Sequence, residues 1–128
     1  MKPVSVSKKL FTRKGNTFHL VHAKHARTMS QRFMGLMGVS PNAFDYGLVF
    51  HLAEEGRMNA SIHMLFMRMP IDLLFLDSQR RVVDMVKNLQ PWTLNYTPKK
   101  DAEFVIELPA GTIKKFAIPA SAKLNWEE

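Results

Sequence analysis

Between Ile62 and Asp77 the chain runs through apolar residues interrupted by His63, Arg68 and Asp72, side chains that can move a proton, hold an anion or pair with one another. Asp72 alternates with Leu74 and Leu76, so on a strand it shares their face. If that face is the core, the carboxylate is buried and must be paired or protonated. Arg68 and His63 are its nearest partners in sequence. A guanidinium suits a two-pronged carboxylate contact, and a neutral imidazole donates from one nitrogen while accepting at the other. The plainer reading has Asp72 accepting loop amides at the strand start, with Arg68 in solvent.

Glu107 repeats the pattern on the Val105 side of a strand whose other side carries Phe104, Ile106 and Leu108. Antiparallel sheets commonly expose one face, so this glutamate is expected to face water unless it converges with His63, Arg68 or Asp72. His19, His22 and His25 recur every third residue, which on a strand sends the middle one away from the other two. That arrangement lacks the common focus a metal needs. Among the nine methionines, Met29, Met34, Met37, Met64, Met67 and Met69 would offer thioethers to a soft ion such as Cu(I). Filling an irregular core explains them more simply. No metal site and no cofactor is expected.

The chain has no cysteine, which excludes disulfides, a thiolate nucleophile and Cys-ligated zinc. It also lacks a Gly-x-Ser-x-Gly elbow, a phosphate-cradling Gly-rich loop and a His-Glu-x-x-His helix.

The elements that must position these residues are mostly strands. Alternation predicts strands over 16–23, 47–52, 62–67, 71–77, 81–89, 104–108 and 122–126, with 4–10 a further candidate. Ile62–Met67 is apolar at both parities except His63, as in a strand covered on both faces, and Pro70 starts the next strand. Thr28 to Gln31 reads as a capping box, followed by an apolar stripe of Met29, Phe33, Leu36 and Met37 and a terminating Gly38. Gly35 inside that helix costs about 1 kcal/mol against alanine and implies close approach of another element. Ile113–Phe116 suggests a single helical turn. The predicted class is mostly β (α+β): a partly closed barrel or strongly curved antiparallel or mixed sheet, with one main flanking helix and a short second turn.

With 128 residues, 46% hydrophobic, the chain suffices for one domain spanning 1–128. Net charge is +7, and Lys2, Lys8, Lys9, Arg13, Lys14, Lys24, Arg27 and Arg32 all precede the first acidic residue, Asp45. The basic segment 1–15 would suit an acidic protein partner. Nucleic acid is not expected, since no recognition helix, zinc finger or stacking-aromatic pattern accompanies the charge. The opening residues contain no signal-peptide core and no segment approaches transmembrane length, so a cytoplasmic protein is expected. Oligomeric state is not legible.

Taken together, Arg32-Phe33-Met34-Gly35-Leu36-Met37, Ile62-His63, the Met67–Asp77 stretch, Pro91-Trp92 and Glu107-Leu108-Pro109-Ala110-Gly111 resemble the domain of unknown function 192 family, also called uncharacterised protein family 0127, over about residues 17–126. The resemblance implies a compact β-rich domain and brings no activity, substrate or cofactor with it. Its motifs fall on Arg32, Gly35, His63, Arg68, Asp72, Trp92 and Glu107. Val39 stands where a basic residue is common in the family, and Pro119-Ala120-Ser121-Ala122 replaces the usual Gly-Asp turn.

The leading expectation is therefore a ligand-binding or accessory domain whose Arg32, His63, Arg68, Asp72, Trp92 and Glu107 surround an anionic or polar small molecule. One alternative is a hydrolase-like site in which His63 acts with Asp72 or Glu107. The other is a structural or protein-interaction module in which the polar cluster only locks the strands.

Overall fold

The structure, a computed structural model, describes residues 2–7 and 17–126. Lys8, Lys9, Leu10, Arg13 and Lys14, which carry most of the expected basic segment and the end of the first candidate strand, lie outside the described residues. The elements run β1 (Lys2–Ser7), β2 (Thr17–Ala26), α1 (Met29–Met34), β3 (Tyr46–Gly56), β4 (Ile71–Leu76), β5 (Val82–Leu89), β6 (Ala102–Pro109), α2 (Thr112–Lys115) and β7 (Leu124–Trp126). The strands form one mixed sheet in the order β5-β4-β6-β3-β2-β1-β7. β2 and β3 pair in parallel, and every other pair is antiparallel.

The parallel pair dictates where the helix goes. Joining β2 to β3 in the same direction demands a crossover, and residues 27–45 supply one that carries α1 across a face of the sheet. The sheet is strongly curved without closing into a barrel. An isolated bridge between Arg81 and Lys123, reinforced by Val82 N–H donating to the Ala122 carbonyl and Leu124 N–H to that of Arg80, ties the two edges together. Leu124 and Trp126 of β7 consequently share a core with Leu74 and Leu76 of β4, strands that lie far apart in the sheet order. That face is the concave one. The other face carries Leu48, Phe50, Ile71, Leu73, Phe75 and Val105 and is covered by Leu36 and Phe44 of the crossover, the 58–70 segment and Tyr96. With both faces buried, β4 reads as an uninterrupted apolar run broken only by Asp72.

Two expected elements differ. Ile62–Met67 is not a strand: only Ile62 bridges, to Tyr96, and the segment reverses at Phe66, whose φ is 59°. Its apolar character comes from covering the convex face as a loop, with Ile62, Met64 and Met67 buried and Phe66 turned outward. Helix α1 stops at Met34, one turn early. Gly35 caps it with φ 44° and ψ −121°, so Leu36 is buried from the following turn while Phe33, expected on the apolar stripe, is 62% exposed. The capping box of Thr28 and Gln31 forms as expected. Lys2–Ser7 supplies the seventh strand among the described residues in place of 62–67.

Candidate functional site

Glu107 sits on β6 opposite Leu48 of β3 and Leu73 of β4, on the convex face. The sequence reading left open whether this side faces water; Glu107 is 3% exposed, because α1 and the 61–67 loop lie over it. Its Oε1 has no hydrogen-bond partner among the described residues. Burial pushes the carboxyl from an ordinary 4.5 up to about 8, so at neutral pH it holds its proton and becomes an O–H donor.

The glycine turn that ends α1 makes room for it. A Cβ on Gly35 would come 3.3 Å from Phe50 Cζ and 3.7 Å from Glu107 Oε1, and a positive φ with ψ near −121° strains any side chain. The close approach expected at Gly35 is thus to an aromatic ring and a carboxyl. Beside them is a cavity of about 40 Å³ lined by Arg32, Gly35, Phe50, His63, Met67 and Glu107. Phe33 and Met34, both mostly exposed, form part of its wall.

Arg32 of α1 and His63 of the covering loop both line this cavity. Arg32 leaves the last turn of α1, and its Nη1 donates to the carbonyls of His51 at 2.8 Å and Arg27 at 3.3 Å, anchoring the helix to β3. Its Nε and Nη2 take no hydrogen bond among the described residues. His63 Nδ1 accepts from Leu65 N–H at 3.2 Å, which puts the ring proton on Nε2, where it donates to the Phe33 carbonyl at 3.2 Å. Both ring nitrogens are therefore engaged. The imidazole also packs on the Phe33 ring, 5.3 Å between centroids.

The remaining expected site residues are not brought here. Asp72 is 1% exposed on the concave face, where Oδ1 accepts from Asn88 N–H at 2.9 Å and Oδ2 from the amides of Gly111 at 3.1 Å and Ile113 at 2.9 Å. It braces the 88 and 110–113 segments, the plainer of its two readings. Pairing of Asp72 with His63 or Arg68 is ruled out by the alternation of β4, which turns it away from the face His63 covers. Arg68 is exposed and forms no ion pair among the described residues. Trp92 is 57% exposed and meets Phe66 edge to face at 5.1 Å; both have positive φ, 66° and 59°. Neither lines the cavity.

Sequence reasoning missed Phe50, Met67 and the Phe33 carbonyl. It also missed a second polar cluster on the concave side, where His25 Nδ1 and His51 Nε2 lie 2.8 Å apart and the His51 ring stands edge-on to Phe104 and Trp126. Among the described residues no three His or carboxylate side chains are grouped to hold a metal, and no helix is long and apolar enough to cross a membrane.

The fold recurs in solved structures. A crystal structure from Sinorhizobium meliloti, described as a "putative transcription regulator", matches with a TM-score of 0.81 and 25% identity, covering 98% of this chain and 92% of that one. A protein of unknown function from Novosphingobium aromaticivorans shares the fold at a TM-score of 0.79 and 23% identity, over 97% of this chain and 84% of that one. In sequence, the chain is 47% identical to a UPF0127 protein of Thermococcus sibiricus over 81% of its own length and 65% of the relative's. It is 44% identical to a UPF0127 protein of Thermococcus gammatolerans, over 89% of this chain and 71% of that one. The match thus spans about two thirds of the length of these relatives. The model of the DUF192 family, described as an uncharacterized ACR, matches residues 10–126, and the chain belongs to that family.

Proposed function

We propose that this domain binds a small polar or anionic ligand group in the cavity beneath α1, with the Glu107 carboxyl and the Arg32 guanidinium as its recognition pair. The observation that carries this reading is the buried Glu107 Oε1, which lines the cavity and has no partner among the described residues. An unmatched buried polar atom costs about 1–3 kcal/mol, a cost that a ligand occupying the cavity would relieve. Gly35 supports it too, since any side chain there would narrow the same space. His63 serves as a clamp in this reading, holding the loop to α1 through the Phe33 carbonyl.

The test is an amide-detected NMR screen of polar fragments against the wild type and Glu107→Leu. Saturable shifts at Gly35, Phe50 and His63 that disappear in the leucine variant are expected. Fragments that bind equally well to both proteins, or only elsewhere, would sink the proposal.

Acid–base catalysis at the same cavity is the second reading, favoured by a carboxyl whose pKa of about 8 suits proton transfer near neutrality. Glu107 would be the acid and His63 a positioning group, since both of its nitrogens are engaged. Glu107→Gln separates the two readings: it keeps a donor but cannot release a proton, so it would retain ligand and abolish any turnover seen in the wild type against a panel of ester and amide substrates. Nucleic-acid binding, suggested by the name of the Sinorhizobium structure, has less support. The α-helices among the described residues are six and four residues long, short for an element that reads a groove.

A further inference from the structure

Resting on that reading, we infer that the ligand is an amphipathic organic monocarboxylate, its carboxylate seated between Glu107 and Arg32 and its apolar body lying on Phe33 and Met34. Three observations converge on this class.

The first is size. A water needs roughly 10–15 Å³ of this kind of space. A cavity of about 40 Å³ therefore seats a group of roughly three small heavy atoms, the size of a carboxylate.

The second is the balance of donors. Arg32 Nε and Nη2 have no partner among the described residues, and protonated Glu107 adds an O–H. Two acceptors at the wall, the Phe33 carbonyl and His63 Nδ1, are already bonded to His63 Nε2 and Leu65 N–H. A site offering donors and one positive charge selects a group that only accepts and carries a negative charge. An ammonium would meet the guanidinium without a ready acceptor other than Glu107.

The third is the mouth. Phe33 and Met34 are 62% and 54% exposed and line this same cavity, so a body continuous with the seated carboxylate would cover them. Each buried methylene is worth about a fourfold gain in affinity.

The arrangement also couples binding to protons. Arg32 from α1 and His63 from the covering loop line the cavity with Glu107, and Tyr46 of β3 is close enough to feel its charge. Glu107 loses its proton as pH rises through about 8, and the resulting anion repels a carboxylate while no longer donating to it.

The experiment compares hexanoate, hexanamide, hexylamine, acetate and inorganic phosphate by NMR titration at about pH 6.5 and about pH 9.5, on either side of the Glu107 midpoint. Hexanoate is expected to bind tightest, with acetate weaker by about tenfold or more. Its affinity should fall by at least about tenfold at the higher pH, and Glu107→Gln should keep hexanoate binding while losing the pH dependence. Hexanamide or hexylamine binding as tightly as hexanoate at the cavity would overturn the carboxylate assignment and leave the ligand-site reading intact. If no compound saturably shifts the cavity amides, the ligand-site reading itself falls.

Discussion

Asp72 and Glu107 lie on neighbouring strands and point to opposite faces of one sheet: Asp72 registers with Leu108, and Glu107 with Leu73. One residue of offset decides their chemistry. Asp72 enters the concave core and is engaged by three backbone amides, whereas Glu107 enters the convex side under α1 and is left without a partner for Oε1. Two carboxylates in similar apolar strands therefore divide into a brace and a candidate binding group.

Glu107→Gln should change how stability depends on pH. In the folded chain the carboxyl titrates near 8, above its ordinary 4.5, so the native state holds a proton that the unfolded state has already lost between those values. Stability attributable to this group is fully present below about 4.5 and falls as pH rises toward 8. The glutamine variant lacks this slope. Urea titrations at several pH values should find it equal to the wild type in acid and more stable above pH 8, by a few kcal/mol at about 1.4 kcal/mol per tenfold change in proton affinity. Parallel curves for the two proteins would contradict the buried protonated carboxyl.

Asp72→Ala should lower stability by roughly 3 kcal/mol or more, because it strands three amides inside the fold. Ligand titrations at the convex cavity should be unchanged once the variant is kept below its melting temperature. Loss of ligand affinity in a folded Asp72→Ala protein would return this residue to the site.

Gly35→Ala tests the turn at the end of α1. The left-handed backbone and the contact with Phe50 predict a loss of roughly 1–3 kcal/mol in thermal or urea unfolding. The added methyl also lies toward Glu107 Oε1, so ligand shifts at Phe50 and His63 should weaken. A variant as stable as the wild type would mean that the helix end is not held in this conformation.

Tyr96→Phe probes the support beneath the covering loop. Tyr96 exchanges two backbone bonds with Ile62, and its hydroxyl donates to Asp84 Oδ2 at 2.7 Å. Burial, followed by Asp84, pushes its pKa up to about 12, so the stability this hydroxyl contributes is present below pH 10 and lost as pH rises toward 12. The phenylalanine variant should be less stable by about 0.5–1.5 kcal/mol near neutrality, and the gap should close in strong base. A gap that persists at high pH would assign the effect to ring packing against Phe75.

Much of this architecture was legible because strand alternation and turn chemistry are local. β4, β5, β6 and the Thr28 capping box follow from apolar parity, Pro70 and hydrogen-bonding side chains. The errors arose where tertiary packing overrode local pattern. Ile62–Met67 carries a strand's composition because it covers a core, and nothing in the run announces the reversal at Phe66. Glu107 shares the Val105 parity, and alternation cannot say whether a second layer covers that face; the signal that could have said so was Gly35, which calls for a close neighbour. Arg32, His63 and Glu107 line one cavity only because a crossover and a covering loop bring them to the same face, a convergence that no spacing encodes. Positive φ at Trp92 and Phe66 was likewise invisible, since aromatic residues rarely adopt it.

The most direct test is the ¹³C titration of the Glu107 side-chain carboxyl, with and without saturating hexanoate. A midpoint near 8 that rises further when ligand is bound is the predicted result, because the carboxylate binds the protonated form. A midpoint near 4.5, unmoved by ligand, would mean that Glu107 is an ordinary ionised glutamate and that the cavity beneath α1 is not a carboxylate site.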